Sequence, residues 1–345
     1  MKKSLIALAV LAASGAAMAQ SSVTLFGIVD TGIGYVNKSN EAGDSKYGVY
    51  NSGNSTSRIG FRGVEDLGGG LKAGFWLEGE VFADNGGSGL DFKRRSTVQL
   101  EGGFGELRIG RDQVAGYNKT SSYDVFGQTG IAQFYGWSNW NGSATTDAGG
   151  VRSDNLVSYY TPNFGGFKAG LSYGFDEKTG SDKSGRYVGG HVAYDNGPLS
   201  VALSYDERKL AGSVDKDMLT LGASYNFGVV KLSGLAQQTK YQAPAVADGK
   251  INAYALGLSA PVGAAGVVKA QYALYDQKII DSKAHQLSVG YDHNLSKRTA
   301  VYGIVSYLKN KDASNMGLSS KSLNTTGPGA GNSQTGVQVG IRHAF

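Results

Sequence analysis

Residues 198–206, PLSVALSYD, and 218–227, MLTLGASYNF, decide how the chain folds. In the first, Leu199, Val201, Leu203 and Tyr205 alternate with Ser200, Ser204 and Asp206. In the second, Leu219, Leu221, Ala223, Tyr225 and Phe227 oppose Thr220, Ser224 and Asn226. Successive side chains of a strand point to opposite faces, so each stretch is a strand with one apolar and one polar face. The same period runs outward in both directions. VTLFGIVDTGIGY puts Val23, Leu25, Val29, Ile33 and Tyr35 on one face and Asp30 on the other. LKAGFWLEGEV sets Ala73, Phe75, Leu77 and Val81 against Lys72, Glu78 and Glu80.

A soluble sandwich also alternates, but its second face packs into a dry core. Here the polar phase carries charges, Gly and Ser throughout, so it faces water. The apolar phase repeatedly ends in Tyr or Phe, as expected for rings at a membrane–water interface. Connections alternate between short and long. The short ones lie at 65–70, 102–105, 161–166, 195–198, Gly228, 259–264 and 292–297. The long polar ones lie at 37–56, 83–91, 112–150, 175–186, 206–217, 238–250, 276–283 and 309–334. Seven short and eight long connections imply sixteen strands. An open sheet edge in hydrocarbon would leave backbone groups unpaired at several kcal/mol each, so the first strand must pair with the last. The fold expected is all-β, a sixteen-stranded antiparallel transmembrane barrel.

The composition agrees. Among 345 residues there are 53 Gly, 20 Tyr, 13 Phe and no Cys, with 18% charged. Gly is the poorest helix former short of Pro, and Tyr favours strands. Without Cys there is no disulfide and no thiolate metal site. Lys2 and Lys3, the apolar run Leu5–Ala13 and the small-x-small pattern Ala17-Met18-Ala19 form a secretory signal peptide over residues 1–19. Residues 20–345 are then the barrel. Its removal takes away two lysines and lowers the net charge from +5 to +3.

Basic residues gather early on the polar phase: Arg58, Arg62, Lys72, Lys93, Arg95, Arg108 and Arg111, with Glu78 among them. Arg94 falls in the other phase and is expected at a loop edge. Rings of Arg or Lys lining a wet pore favour anions. The third long segment, 112–150, is the longest and carries Tyr117, Tyr123, Phe126, Phe134, Tyr135, Trp137 and Trp140. So many rings are expected to fold inward against the wall, where Asp112 and Asp124 would face the basic residues. The charges are too interspersed for nucleic acid. No catalytic residue, metal site or cofactor is expected: there is no Gly-x-Ser-x-Gly elbow, phosphate loop, zinc spacing or calcium loop. A substrate-specific channel and an outer-membrane enzyme remain the alternative readings.

Several segments together resemble the trimeric general porins of Gram-negative outer membranes, in their beta-proteobacterial branch. They are SSVTLFGIVDTGIGYV (21–36), SRIGFRGVEDLGGGLKAGFWLE (57–78), FGELRIGRD (104–112), VSYYTPNFGGFKAGLSYGF (157–175), LSVGYDHNLSKRTAVYGIVSY (287–307) and VGIRHAF (339–345). The resemblance implies an outer-membrane homotrimer and a third loop folded into the lumen as a constriction. It also implies passive diffusion of ions and small hydrophilic solutes, and contact with membrane lipids and lipopolysaccharide. Arg58 and Arg111 match basic constriction positions of the family, and Arg62 and Glu78 match further lumen positions. The terminal Phe345 resembles the signal read by the barrel-insertion machinery. The loop SYDVFGQTGIAQFYGWSNW lacks the family's Pro-Glu-Phe-Gly run, which leaves Asp124 as the candidate loop acid.

Overall fold

A computed structural model describes residues 22–345, apart from 88, 138–149, 181, 244–245, 279–280, 320–322 and 324. The signal-peptide expectation falls outside these residues. Among the described residues seventeen strands follow one another, beginning with β1 Ser22–Val36, β2 Lys46–Asn51, β3 Arg58–Gly68, β4 Leu71–Glu80, β5 Arg95–Gly102, β6 Gly105–Gln113, β7 Arg152–Tyr160, β8 Phe167–Gly174 and β9 Tyr187–Asn196. The remainder are β10 Leu199–Leu210, β11 Val214–Asn226, β12 Lys231–Ala243, β13 Val246–Val262, β14 Gly266–Gln277, β15 Ser282–Asn294, β16 Thr299–Asp312 and β17 Ser333–Ala344. Among the described residues, one short α-helix, α1 (Ala115–Thr120), lies between β6 and β7.

The sheet is antiparallel and closed. β1 pairs along its second half with β17, from Ile28 opposite Ala344 to Val36 opposite Gly336. On its other side β1 pairs with β3 over Ser22–Ile28 and with β2 over Thr31–Val36. β2 and β3 therefore occupy one position in the wall, and the barrel has sixteen. Phe345 ends the seam: it exchanges backbone hydrogen bonds with Gly27, each 3.1 Å.

Two features depart from the sequence reading. The segment 37–56 is not all loop, because β2 lies within it; residues 52–57 break the second wall strand and turn inward. The segments 206–217 and 238–250 are largely strand, and within 276–283 β14 runs to Gln277 and β15 begins at Ser282. β10 and β11 stay in register out to Leu210 opposite Val214, with Lys209 ion-paired to Glu207 (2.8 Å) and Asp215 (2.7 Å). An antiparallel ladder needs no lipid, so polar residues continue it beyond the membrane.

The phase is as read. Leu203 is 45% exposed on the outer surface while its neighbour Ser204 is 2% exposed on the inner one. Leu203→Arg is expected to destabilise the barrel by about 2–4 kcal/mol, as for a cation at mid-membrane on the lipid face. Urea unfolding in lipid vesicles measures it; an unchanged midpoint would put Leu203 out of the hydrocarbon.

Candidate functional site in the barrel lumen

The described part of the third long segment lies against the inner wall, and small residues admit it there. A Cβ on Gly222 of β11 would collide with the Tyr123 ring. On Gly257 of β13 it would meet Val125 at 2.9 Å, on Gly290 of β15 Phe126 at 2.9 Å, and on Gly336 of β17 Ile131 at 3.0 Å. Real Cβ atoms avoid such distances, so glycines on every second strand open a groove for successive loop side chains. Between them polar side chains engage the loop backbone. Gln271 accepts from Val125 N (3.3 Å), Gln338 from Ile131 N (3.2 Å), and the Tyr275 hydroxyl from Tyr135 N (3.0 Å). At its start, Ala115 N donates to Ser172 Oγ (3.2 Å), and His191 Nδ1 lies 2.7 Å from the Ala115 carbonyl. Phe134 stacks on Tyr275 with centroids 5.8 Å apart, and Trp137 meets Phe134 and Tyr117 edge-on. Trp140 lies outside the described residues.

The arginines stand on the stretch of wall formed by β3–β7. Glu78 is their hub. Its Oε1 is 2.6 Å from Arg94 Nε and 3.8 Å from Arg58 Nε, and its Oε2 accepts from Trp76 Nε1 at 3.2 Å. Arg152, the first residue of β7, donates Nε to the Arg94 carbonyl at 2.8 Å, and its own carbonyl accepts from Arg208 (2.6 Å). A second row follows. The guanidinium carbons of Arg62 and Arg95 lie 5.1 and 4.6 Å from the Trp76 ring, and Arg108 lies 4.5 Å from the Tyr160 ring. Cation–π contacts of this kind hold a guanidinium without neutralising it. Asp112 pairs with Arg108 (3.1 Å) and Arg95 (3.5 Å), and Glu106 pairs with Arg108 (2.7 Å).

Thus Arg58, Arg62, Glu78, Arg95, Arg108 and Asp112 come together along the wall. Lys72 does not join them: it sits exposed at the turn end of β4, opposite Asp66 and Glu101.

Beyond Lys72, two expectations need correcting. Arg111 does not share the face of Arg108. Residues three apart on a strand point oppositely, and it is Asp112, four residues on, that faces inward with Arg108. The register partner of Arg111 is Ser96, on the same phase as Val98, which is 65% exposed. Arg111 instead pairs with Asp154 at 2.5 Å and donates to the Lys93 carbonyl.

Asp124 does not face the arginines either. Its carboxylate turns into its own loop and accepts from Phe126 N (3.1 Å), Gln128 N (2.9 Å), Gln128 Nε2 (2.7 Å) and Phe134 N (3.1 Å). Burial pushes its carboxyl above the ordinary carboxylate range, while these hydrogen bonds pull the other way. It holds the loop's shape.

Arg94, set aside at a loop edge by its phase, stands just before β5 and swings its side chain onto Glu78. With Arg152 and Trp76 it is what the sequence reading missed. Both arginines flank long loops at strand starts, where alternation no longer dictates direction. A basic residue at or just before the first position of a strand was the available signal. Among the described residues no group of three His, Cys, Asp or Glu could hold a metal.

A wet channel through a closed barrel, with guanidiniums on one wall and a belt of loop on the other, is the architecture of a pore. Comparison with known proteins agrees. The family model described as Gram-negative porin matches residues 5–313. The chain is 65% identical to outer membrane porin protein 32 of Delftia acidovorans, over 100% of both chains. It is 35% identical to an outer membrane porin protein of Bordetella pertussis, again over 100% of both. A solved anion-selective porin from Comamonas acidovorans superposes with a TM-score of 0.91 at 63% identity, covering 94% of this chain and 100% of that one. An OmpF of Salmonella typhi shares the fold at a TM-score of 0.68 and 18% identity. The chain belongs to the Gram-negative porin family and is an outer-membrane porin.

Proposed function

We propose that this porin passes small hydrophilic solutes passively and prefers anions, its narrowest section lying between the third loop and the Arg58–Arg94–Arg152 cluster. One observation carries the reading. Around Trp76 and Tyr160 six guanidiniums (Arg58, Arg62, Arg94, Arg95, Arg108, Arg152) outnumber four carboxylates (Glu78, Glu80, Glu106, Asp112). Rings of Arg favour anions in a water-filled pore, where an ion keeps enough water to avoid the cost of entering lipid. The solved anion-selective porin from Comamonas acidovorans supports the sign. No chemical step is needed.

In the membrane the protein works as a homotrimer in contact with lipids and lipopolysaccharide, and Phe345 is its assembly signal. Residues 1–19 serve as the export signal. The test is a zero-current potential across a planar bilayer in a KCl gradient. An anion-signed potential that shrinks in concentrated salt is expected; a cation-signed one would overturn the preference and leave the pore.

A further inference from the structure

Beside the Glu78 hub, the inner wall joins aromatic rings to a guanidinium that no acid answers. One row from Glu78 toward the 65–70 turn, β1, β3, β4 and β5 set Thr24, Arg62, Trp76 and Thr97 side by side. Phe26 completes the patch. It lies over Gly60, where a Cβ would come within 2.5 Å of its ring, and meets Trp76 edge-on with centroids 4.9 Å apart. Other rings of the inner face, Tyr50, Tyr187, Tyr275 and Tyr302, are at most 5% exposed. Phe26 and Trp76 are only half-buried, and Phe26 has no polar atom to offer water. Apolar ring surface left open in a wet lumen gains from being covered.

Arg62 is exposed beside these rings. Its guanidinium carbon lies 5.2 Å from the Phe26 ring and 5.1 Å from the Trp76 ring. Among the described residues its side chain has no ion pair and no hydrogen bond. The acids of this wall are taken: Glu78 by Arg94 at 2.6 Å, Glu106 by Arg108 at 2.7 Å, Asp112 by Arg108 at 3.1 Å. Arg95, which also lies against Trp76, is paired with Asp112 at 3.5 Å and donates to Gln99 at 2.8 Å. Of the two guanidiniums on Trp76, only Arg62 is held by rings alone. A small aliphatic anion would use the charge and leave the rings wet; a neutral aromatic would do the reverse. We propose that Arg62, Phe26 and Trp76 form a subsite for aromatic monocarboxylates. The carboxylate takes the planar, two-pronged edge of the Arg62 guanidinium, and the aryl group covers Phe26 and Trp76. The subsite names a solute class for the pore and rests on its anion preference.

The test reads block of the KCl current through the reconstituted pore by benzoate, cyclohexanecarboxylate and benzamide. Benzoate should block saturably, about threefold to tenfold more tightly than cyclohexanecarboxylate, and benzamide should not block. Phe26→Leu should abolish the difference between the two acids, and Arg62→Gln should weaken benzoate block about tenfold or more. Variants that insert as conducting pores are folded. Equal block by the two acids, in a pore whose KCl potential is anion-signed, would overturn the subsite while the anion preference stands. Block by benzamide as strong as by benzoate would overturn it too. So would a Phe26→Leu pore that still separates the two acids, or an Arg62→Gln pore that benzoate blocks as it does the wild type.

Discussion

Reversing Arg58 and Arg94 to glutamate is expected to turn the pore from anion-preferring to cation-preferring. With Glu78 the trio carries a net charge of +1, and the double variant makes it −3. Charges 4–8 Å apart interact by about 2–4 kcal/mol at an effective dielectric near 20, so even a fraction of that alters an ion's partition severalfold. Screening acts over about 10 Å at 0.1 M salt and about 3 Å at 1 M, which makes the change large at low salt and small at high salt. The zero-current potential in a KCl gradient measures it. Arg58→Gln/Arg94→Gln, with a trio charge of −1, should fall between. If both variants fold and keep the wild-type potential at low salt, these arginines do not govern selectivity.

A second large effect is expected at Asp30, which is 0% exposed in the inner wall. Its carboxylate accepts from the backbone N–H groups of Gly53 (3.3 Å), Asn54 (2.9 Å) and Ser55 (2.5 Å), and from the Tyr302 hydroxyl. Its own N–H donates to Ser57 Oγ (2.9 Å). One carboxylate therefore holds the inward excursion that splits β2 from β3 and delivers Arg58. The Ser52 carbonyl of that excursion accepts from Thr129 Oγ1 of the third loop (2.7 Å). Asp30→Ala leaves four donors without an acceptor. At about 1–3 kcal/mol for each buried group left unpaired, even partial access of water leaves a loss of roughly 3 kcal/mol or more. Urea unfolding should show the fall, with noisier single-channel current in whatever folds. A variant as stable and as quiet as the wild type would show that the excursion holds without its anchor.

The wall was legible because alternation is local: each of Leu199, Val201, Leu203 and Tyr205 declares its face through its neighbours. Closure followed from the cost of an edge in lipid. The site was legible only where it obeyed the same period, at Arg58, Arg62, Glu78, Arg95 and Arg108. Arg94 and Arg152 stand where strands begin, and their directions depend on partners brought in from elsewhere in the chain. Asp124 looked like a free acid because its acceptors' work, capping Phe126, Gln128 and Phe134, is invisible until the loop is folded. The NSGNSTS stretch at 51–57 reads as ordinary polar loop, and only Asp30, far back in β1, explains why it turns inward.

The groove that admits the third loop makes the lining of the lumen a composite of two distant stretches of gene. Tyr123, Val125, Phe126 and Ile131 have seats only because Gly222, Gly257, Gly290 and Gly336 lack side chains. A loop moved alone onto another porin would arrive without its seats, and a new side chain at one glycine would unseat a loop whose own sequence is untouched. Drift in the aperture of such pores is therefore constrained jointly. Recombination that separates the loop from the last third of the barrel is penalised, while exchange of one apolar outward-facing residue for another between the glycines leaves the loop's seats intact.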